Sequence, residues 1–367
     1  MEIKIFEHAR RVDPERWRRL NPTPRQTRAW FVASENYFSS TTHLYVTAWE
    51  QGALRAVLPL YDEFDPAYFN VTECYDPMIR RVLTKFRFLC VGSRLGFEAG
   101  VIGDPRAASE LLAAAVALAR DRKADFLAAN FCRAPLPGWR PHGLGHVFDA
   151  HVLTTVGRSH ADFLASFNAK KRHLLRDEAS RSTPLFQAPL LGNEDRFLTL
   201  RSLSCERNGS HNLLNAAFFT RLAEAFGEDL TLIAAGDEAE WTGACLLLAS
   251  ENEYCAQSIG VLKRDHTYFN LLVHEPLRRA YATGRQRVDL GAACEEAKRR
   301  RGATAVPLSA YLRPVSERCA LLVRGAKPIA RFSRGVKKIC AACAALGDHH
   351  FSTEPEAGVE HHDTRKR

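Results

Sequence analysis

Along most of this chain, apolar residues come in short alternating or continuous bursts separated by turn-forming residues. The pattern is densest between positions 228 and 313. Residues 230–235 alternate as a strand and end in a polar turn at Gly236-Asp237-Glu238. Residues 242–248 form a continuous apolar run, and 254–261 predict a further strand. A helix is predicted from about 268 to 283, stopped by Gly284. A short strand, 287–291, then empties into the charged stretch 292–302.

The first half has a similar rhythm. A short strand around Ile3 and Ile5 precedes a helix entered at Asp13-Pro14, with Trp17 and Leu20 on its apolar face. Residues 43–49 and 53–60 predict a hairpin around Glu50-Gln51-Gly52. Residues 62–82 are irregular and aromatic, and 86–91 predict a strand. Asp104-Pro105 opens a helix through Arg120 whose inner face is Leu111, Leu112, Ala115 and Leu118, followed by strands at 126–131 and 146–156. Residues 159–183 predict one helix with Phe163, Phe167, Leu174 and Leu175 turned inward. A strand at 185–191 and helices at 193–206 and 216–226 lead back to the dense region. The order of elements suggests a duplicated α/β unit, although no repeat is visible residue by residue. Beyond 313 a last strand is expected at 320–323, then a basic amphipathic helix at 331–346 and a disordered tail at 347–367.

Composition narrows the class. At 367 residues the chain is long enough for two cores, and 46% hydrophobic with 25% charged is ordinary for a globular protein. No apolar run has the length of a membrane span, and the N-terminus lacks the apolar core of a signal peptide, so a cytoplasmic protein is expected. The ten cysteines are expected as reduced, small apolar residues. A single CxxC, Cys340 and Cys343 near His349-His350, falls short of the two pairs a structural zinc site needs, so no metal is expected. The net charge of +9 favours anionic partners such as a nucleotide, a phosphorylated cofactor, tRNA or an acidic membrane surface. Glycine-rich dinucleotide and Walker-type phosphate loops are missing, and so is the G-x-S-x-G of a serine hydrolase.

Several stretches together resemble a known family. The hairpin at 48–61, Phe218-Phe219-Thr220-Arg221-Leu222, Tyr268-Phe269-Asn270-Leu271-Leu272, Arg279-Ala280-Tyr281-Ala282-Thr283-Gly284 and Asp289-Leu290-Gly291-Ala292 fall in the order found in double-GNAT proteins. These include the Fem-type peptidyltransferases, peptidoglycan-biosynthesis-like proteins and CelD-like acetyltransferases. The Lys298-x-x-Arg301-Gly302 sequence matches the last loop of that family, with Ala303 where an aromatic stands and one extra residue before Glu296. The resemblance implies an α/β (α+β) fold of two tandem GNAT-like units, each a mixed, mainly antiparallel sheet flanked by helices. The units would be 1–158 and 184–330, joined by the basic helix 159–183.

The same resemblance places an acceptor site at the end of the strand carrying Asp289. Glu296 would take a proton from an attacking amine if burial raised its pKa. Lys298 and Arg301 would hold a phosphate or carboxylate. The alternative is a solvated charged loop. Asp289 is either a second acid/base group or a structural cap. Tyr268 and Asn270, at the start of the long helix, are candidates for an acyl-donor or anion position, against a core tyrosine and a cap-like asparagine. Lys170, Arg172 and Arg176 would grip the phosphates of acyl-CoA or of a tRNA acceptor stem, against a solvated helix face.

The reaction expected is N-acyl transfer to a small-molecule amine from acyl-CoA. Aminoacyl-tRNA, as in the Fem branch, is the alternative donor, favoured by the net charge and by the lack of a clear acyl-CoA loop. An inactive double-GNAT scaffold that binds a polyanion or a protein is the third reading.

Overall fold

The structure, a computed structural model, describes residues 1–63, 85–96, 98–137, 146–181, 183–207, 214–263, 266–292, 294–317 and 319–320. Most of the aromatic stretch 62–82, most of the strand expected at 320–323, Cys340, Cys343, the helix at 331–346 and the tail at 347–367 lie outside the described residues.

The chain opens with β1 (Glu2–Phe6), α1 (Pro14–Arg18) and α2 (Arg28–Tyr37). Asp13 accepts the Arg16 amide to cap α1 and Thr27 accepts that of Trp30 to cap α2. The hairpin is β2 (His43–Glu50) with β3 (Ala53–Glu63), turning at Gln51 and Gly52, both at positive φ. Next come β4 (Phe88–Val91), the two-residue β5 (Ile102–Gly103), α3 (Ala108–Asp121), β6 (Phe126–Cys132) and β7 (His146–Thr154). The connection predicted as one helix is two, α4 (His160–Ala165) and α5 (Ala169–Ser180), because Asn168 is extended and caps α5 afresh through Lys171. Phe163 and Leu175 are buried as expected, whereas Leu174 is 42% exposed.

The second half contains β8 (Leu185–Ala188), α6 (Glu194–Arg207), α7 (Ala216–Phe226), β9 (Leu230–Gly236), β10 (Trp241–Ala249) and β11 (Glu253–Val261). The long helix is interrupted. α8 (His266–Phe269) widens into a π-helical turn, Asn270–His274, before α9 (Glu275–Ala282). β12 (Arg287–Asp289), α10 (Glu295–Arg300) and β13 (Thr304–Pro314) finish the fold.

All these strands join one sheet in the order β1-β2-β3-β4-β6-β13-β7-β12-β11-β10-β9-β8, with β5 beside β3. Among the described strands, only two neighbouring pairs are parallel, β4–β6 and β11–β12, and they occupy matching positions in the two halves. The predicted mixed, mainly antiparallel sheet with flanking helices is what the chain forms. The halves also exchange strands. β7 follows β6 in sequence but pairs with β12, while β13 follows β12 but pairs with β6, and β7 and β13 pair with each other at the centre.

Helices cover both faces. Trp17, Trp30 and Phe31 of the first half share one core with Phe197, Phe218 and Phe219 of the second. Tyr37 meets Phe218 edge-on, ring centres 5.4 Å apart, so α2 and α7 weld the halves together. α3 lies on the opposite face of the first half, over Leu58, Leu89 and Leu127. On the corresponding face of the second half, Leu271, Leu272 and Leu277 pack with Phe163, Leu164 and Leu175 of the connecting helices.

Candidate functional site

At the junction of the halves lies a network of buried charge. Asp289, at the end of β12, is 1% exposed. Its Oδ2 accepts from Arg133 at 2.6 Å and Arg25 at 3.2 Å, and its Oδ1 accepts the Gly291 amide at 2.6 Å. Arg25 arrives from the turn between α1 and α2, and also donates to Gln257 of β11 at 2.7 Å. Arg133 follows β6 and further faces Glu98 at 3.2 Å and Glu253 at 3.6 Å, while Arg287 stands 3.3 Å from Glu253. Three carboxylates and three guanidiniums thus tie the turn after α1, the end of β6, and strands β11 and β12 to one another.

The charges are unequally balanced. Burial works against ionisation of Asp289, but Arg25, Arg133 and the Gly291 amide overcome it and hold its pKa below the usual range. Glu253 is pushed up to about 7, by burial first and then by the neighbouring Asp289 and Glu98, against the pull of its two arginines. Glu98 is likewise raised by burial, even though Thr23 donates to it. Asp289 is therefore a fixed anion at neutral pH, and Glu253 is a carboxyl poised between states.

The stretch after β12 is built differently. Lys298, buried, donates to the carbonyls of Leu290, Gly291 and Ala292 at 2.7, 3.0 and 2.7 Å, so its ammonium closes the end of the strand. His151 of β7 is buried nearby, and burial together with Lys298 lowers its pKa to about 4, leaving the ring neutral. Arg301 lies with its guanidinium carbon 3.2 Å from the Phe269 ring centre and donates from Nη1 to the Ala297 carbonyl. Its Nε, at 2.9 Å, and its Nη2 both hold the carboxylate of Glu178 from α5. His274, in the π-helical turn, meets the same carboxylate at 2.9 Å, and its other nitrogen lies 3.4 Å from His160. Asn270, one turn earlier, donates to the Glu178 carbonyl at 2.8 Å. Burial opposes the charge on Glu178, but the bonds from His274 and Arg301 prevail and its pKa is lowered. Gly302 passes under Phe167 with φ +92°, where an added Cβ would come within 2.7 Å of the ring. Each fixed residue of Lys298-x-x-Arg301-Gly302 therefore has its own steric or electrostatic task.

The sequence-predicted residues separate accordingly. Asn270, Arg301 and the helix bearing Lys170, Arg172 and Arg176 converge on Glu178. Lys298 lies alongside, capping the strand, and Asp289 belongs to the junction network. Lys170 and Arg176 are exposed, while Arg172 is half-buried and donates to the Ala165 carbonyl. Tyr268 is half-buried against Phe269, ring centres 5.0 Å apart. Glu296 is not buried: its side chain is 56% exposed and pairs with Arg300 one turn on, because α10 turns that face to solvent. The burial that would have tuned it as a base is therefore missing. The network partners Arg25, Glu98, Arg133, Glu253, Glu178 and His274 carry no motif. The one local signal was a lone glutamate on the inward side of a basic helix.

A concavity of about 610 Å³ lined by Phe6, Glu7, His8, Arg11, Leu118 and Arg122 lies away from all of these residues. At the end of the β4–β6 pair, beside Glu98, a cavity of only about 10 Å³ remains. Among the described residues, no group of three or more His, Cys, Asp or Glu is placed to hold a metal, and no helix is long and apolar enough to cross a membrane.

Comparison with known proteins places this architecture. The profile of the FemAB-like family, described as peptidoglycan biosynthesis/recognition, matches residues 87–325. The chain belongs to the FemAB-like family. Among solved structures, FemX superposes with a TM-score of 0.62 at 11% identity, over 90% of this chain and 100% of FemX. The C-terminal domain of a protein described as a lysylphosphatidylglycerol synthetase, from Agrobacterium fabrum, superposes with a TM-score of 0.52 at 10% identity, over 84% and 94% of the two chains. No curated protein matched. This FemAB-like chain is thus a transferase, and the junction network and the Lys298–Gly302 stretch both lie largely within the span that defines its family.

Proposed function

We propose that the protein is a Fem-type aminoacyltransferase, moving an aminoacyl group from tRNA to the amine of a peptidoglycan precursor. The observation that carries this reading is the family match across residues 87–325, supported by the likeness to FemX over nearly the whole chain. The connection from β11 to α8 agrees with it. Residues 262–267 contain no glycine, and the Val261 and Leu262 carbonyls accept bonds from Arg207, which is not the glycine-rich cradle that binds a pyrophosphate. The exposed Lys170 and Arg176 offer charge suited to an RNA backbone.

Chemically, an aminoacyl ester is already activated, and its carbonyl needs only an unprotonated amine held at attack distance. Positioning of this kind is worth up to roughly 7–11 kcal/mol without a covalent intermediate. In this reading the ion network holds the ends of β6 and β12 in fixed relation, and Lys298 fixes the loop that borders the acceptor.

The test is to incubate the purified protein with tRNAs charged with labelled amino acids, and separately with labelled acetyl-CoA. A peptidoglycan precursor bearing a free amine is one acceptor, and phosphatidylglycerol vesicles are another. Ribonuclease-sensitive transfer from tRNA to the precursor is expected. Transfer from acetyl-CoA alone, or none from tRNA to either acceptor, overturns the donor assignment. Transfer from tRNA to the lipid alone overturns the acceptor.

A further inference from the structure

We infer that Arg301 and His274 form an oxyanion-binding subsite that the chain fills with its own Glu178, making α5 a displaceable plug. The displacing ligand is an oxyanion, either a carboxylate or a phosphate. The inference does not depend on the acyl-transfer reading.

The receptor side is ordered without its occupant. Arg301 rests on Phe269 and is pinned through Nη1 to Ala297, which leaves Nε and Nη2 directed at one acceptor as a fork. That is the geometry in which a guanidinium holds any carboxylate or phosphate. His274, 1% exposed, presents Nε2 to the same point from a π-helical turn, a rare widening of a helix that recurs at functional sites. Its Nε2 faces the carboxylate and so carries a proton, and its Nδ1 lies 3.4 Å from the His160 Nε2. Asn270, fully buried, holds the backbone of α5 rather than the carboxylate, its amide donating to the Glu178 and His266 carbonyls.

The plug side is lightly held. Of the twelve residues of α5, only Leu175 and Glu178 are buried. Lys170, His173, Leu174 and Arg176 face solvent, and the extended Asn168 separates α5 from α4. Little apolar surface therefore opposes withdrawal of the helix, and the grip on Glu178 is the main attachment. Withdrawal into water alone would leave the half-buried Arg301 charge without its anion. Exchange of one oxyanion for another leaves it paired, so the plug yields to a ligand of the right chemistry and to little else. The exposed basic face of α5 also gives a larger polyanion a hold on the same helix.

The experiment uses the full chain. The Glu178→Ala variant is melted in rising sodium acetate or sodium phosphate, with chloride at matched ionic strength as control. The melting temperature is expected to start below wild type and to rise saturably with one of the two oxyanions. Whichever oxyanion saturates gives the ligand class. The Glu178→Ala/Arg301→Leu variant should lose that response. In the wild type, hydrogen exchange of the α5 amides is expected to accelerate at least tenfold at saturation with the same oxyanion, while α7 is unchanged. Equal responses to chloride and both oxyanions, or α5 exchange in the wild type that stays constant throughout both titrations, overturn the inference. Should Glu178→Ala not fold, the wild-type exchange experiment decides alone.

Discussion

Deleting the Asp289 carboxylate is the sharpest test of the junction. In Asp289→Ala, Arg25 and Arg133 keep their positive charges, with side chains only 7% and 18% exposed, and lose the anion between them. Removing one member of a buried pair costs about 3–5 kcal/mol, because the survivor stays desolvated and uncompensated. Arg133 retains Glu98 and Glu253, which softens its share, and the Arg25 Nε keeps its bond to the neutral Gln257. We therefore expect a loss of about 3 kcal/mol at pH 7. Replacing both ends, Asp289→Ala with Arg25→Met, should return a coupling energy of roughly 1.5–3 kcal/mol. Urea unfolding followed by tryptophan fluorescence measures both. The sign with pH follows from the lowered pKa of Asp289. Its contribution is complete above the unfolded value near 4 and disappears as pH falls through the folded one, so wild type and variant should converge in acid. A single-variant loss under about 1 kcal/mol, or strictly additive losses, would refute the claim that this contact holds the halves together.

Glu253 should behave in the opposite sense. Its folded pKa of about 7 exceeds the ordinary 4.5, so the folded state binds the extra proton and stability falls as pH rises from about 4.5 to about 7. Glu253→Gln should be nearly neutral at pH 5 and stabilising at pH 8, and thermal melts at the two pH values check this. Glu296→Gln should change stability by less than about 0.5 kcal/mol, as an exposed helix pair does, and leave the transfer rate within about threefold. A general base contributes roughly 10²–10⁴-fold, so a loss on that scale in single-turnover assays would identify Glu296 as one. Fragments 1–158 and 159–367 should be insoluble when expressed apart and co-purify when expressed together, since β7 and β13 each complete the other half. A soluble, cooperatively melting 1–158 would show that the exchange is dispensable.

Most elements were legible because their apolar spacing is local. The helix at 216–226 and strands β9 to β11 fall within a residue or two of their expected bounds. β13 was not legible, although it sits at the centre of the sheet. It contains Pro307 and Pro314, which argue against a central strand because proline cannot donate to the ladder. The structure admits them with register shifts at Leu308/Ser309 and Ser309/Tyr311. The charged cluster was hidden for another reason. Arg25 and Asp289 are 264 residues apart, and Arg133 and Asp289 are 156 apart, so no window of sequence contains the pair. Glu178 escaped because nothing in its otherwise polar helix sets that one glutamate apart. Lys298, Arg301 and Gly302 stood out through the family resemblance, but their contacts with strand carbonyls, a glutamate and a phenylalanine ring were not readable from it.

The strand exchange also bears on how the protein is made. β6 leaves the ribosome about 170 residues before β13, its lateral partner, which at 5–20 residues per second is a wait of roughly 10–30 s. Throughout that time a strand apolar at every position but Asn130, Phe126–Cys132, has an open edge, the feature through which nascent chains capture one another. The last of the described strands to be synthesised is thus the one that seals the middle of the sheet. A ribosome stalled anywhere before residue 304 would release a chain with that edge uncovered, a natural substrate for a holdase chaperone or a protease.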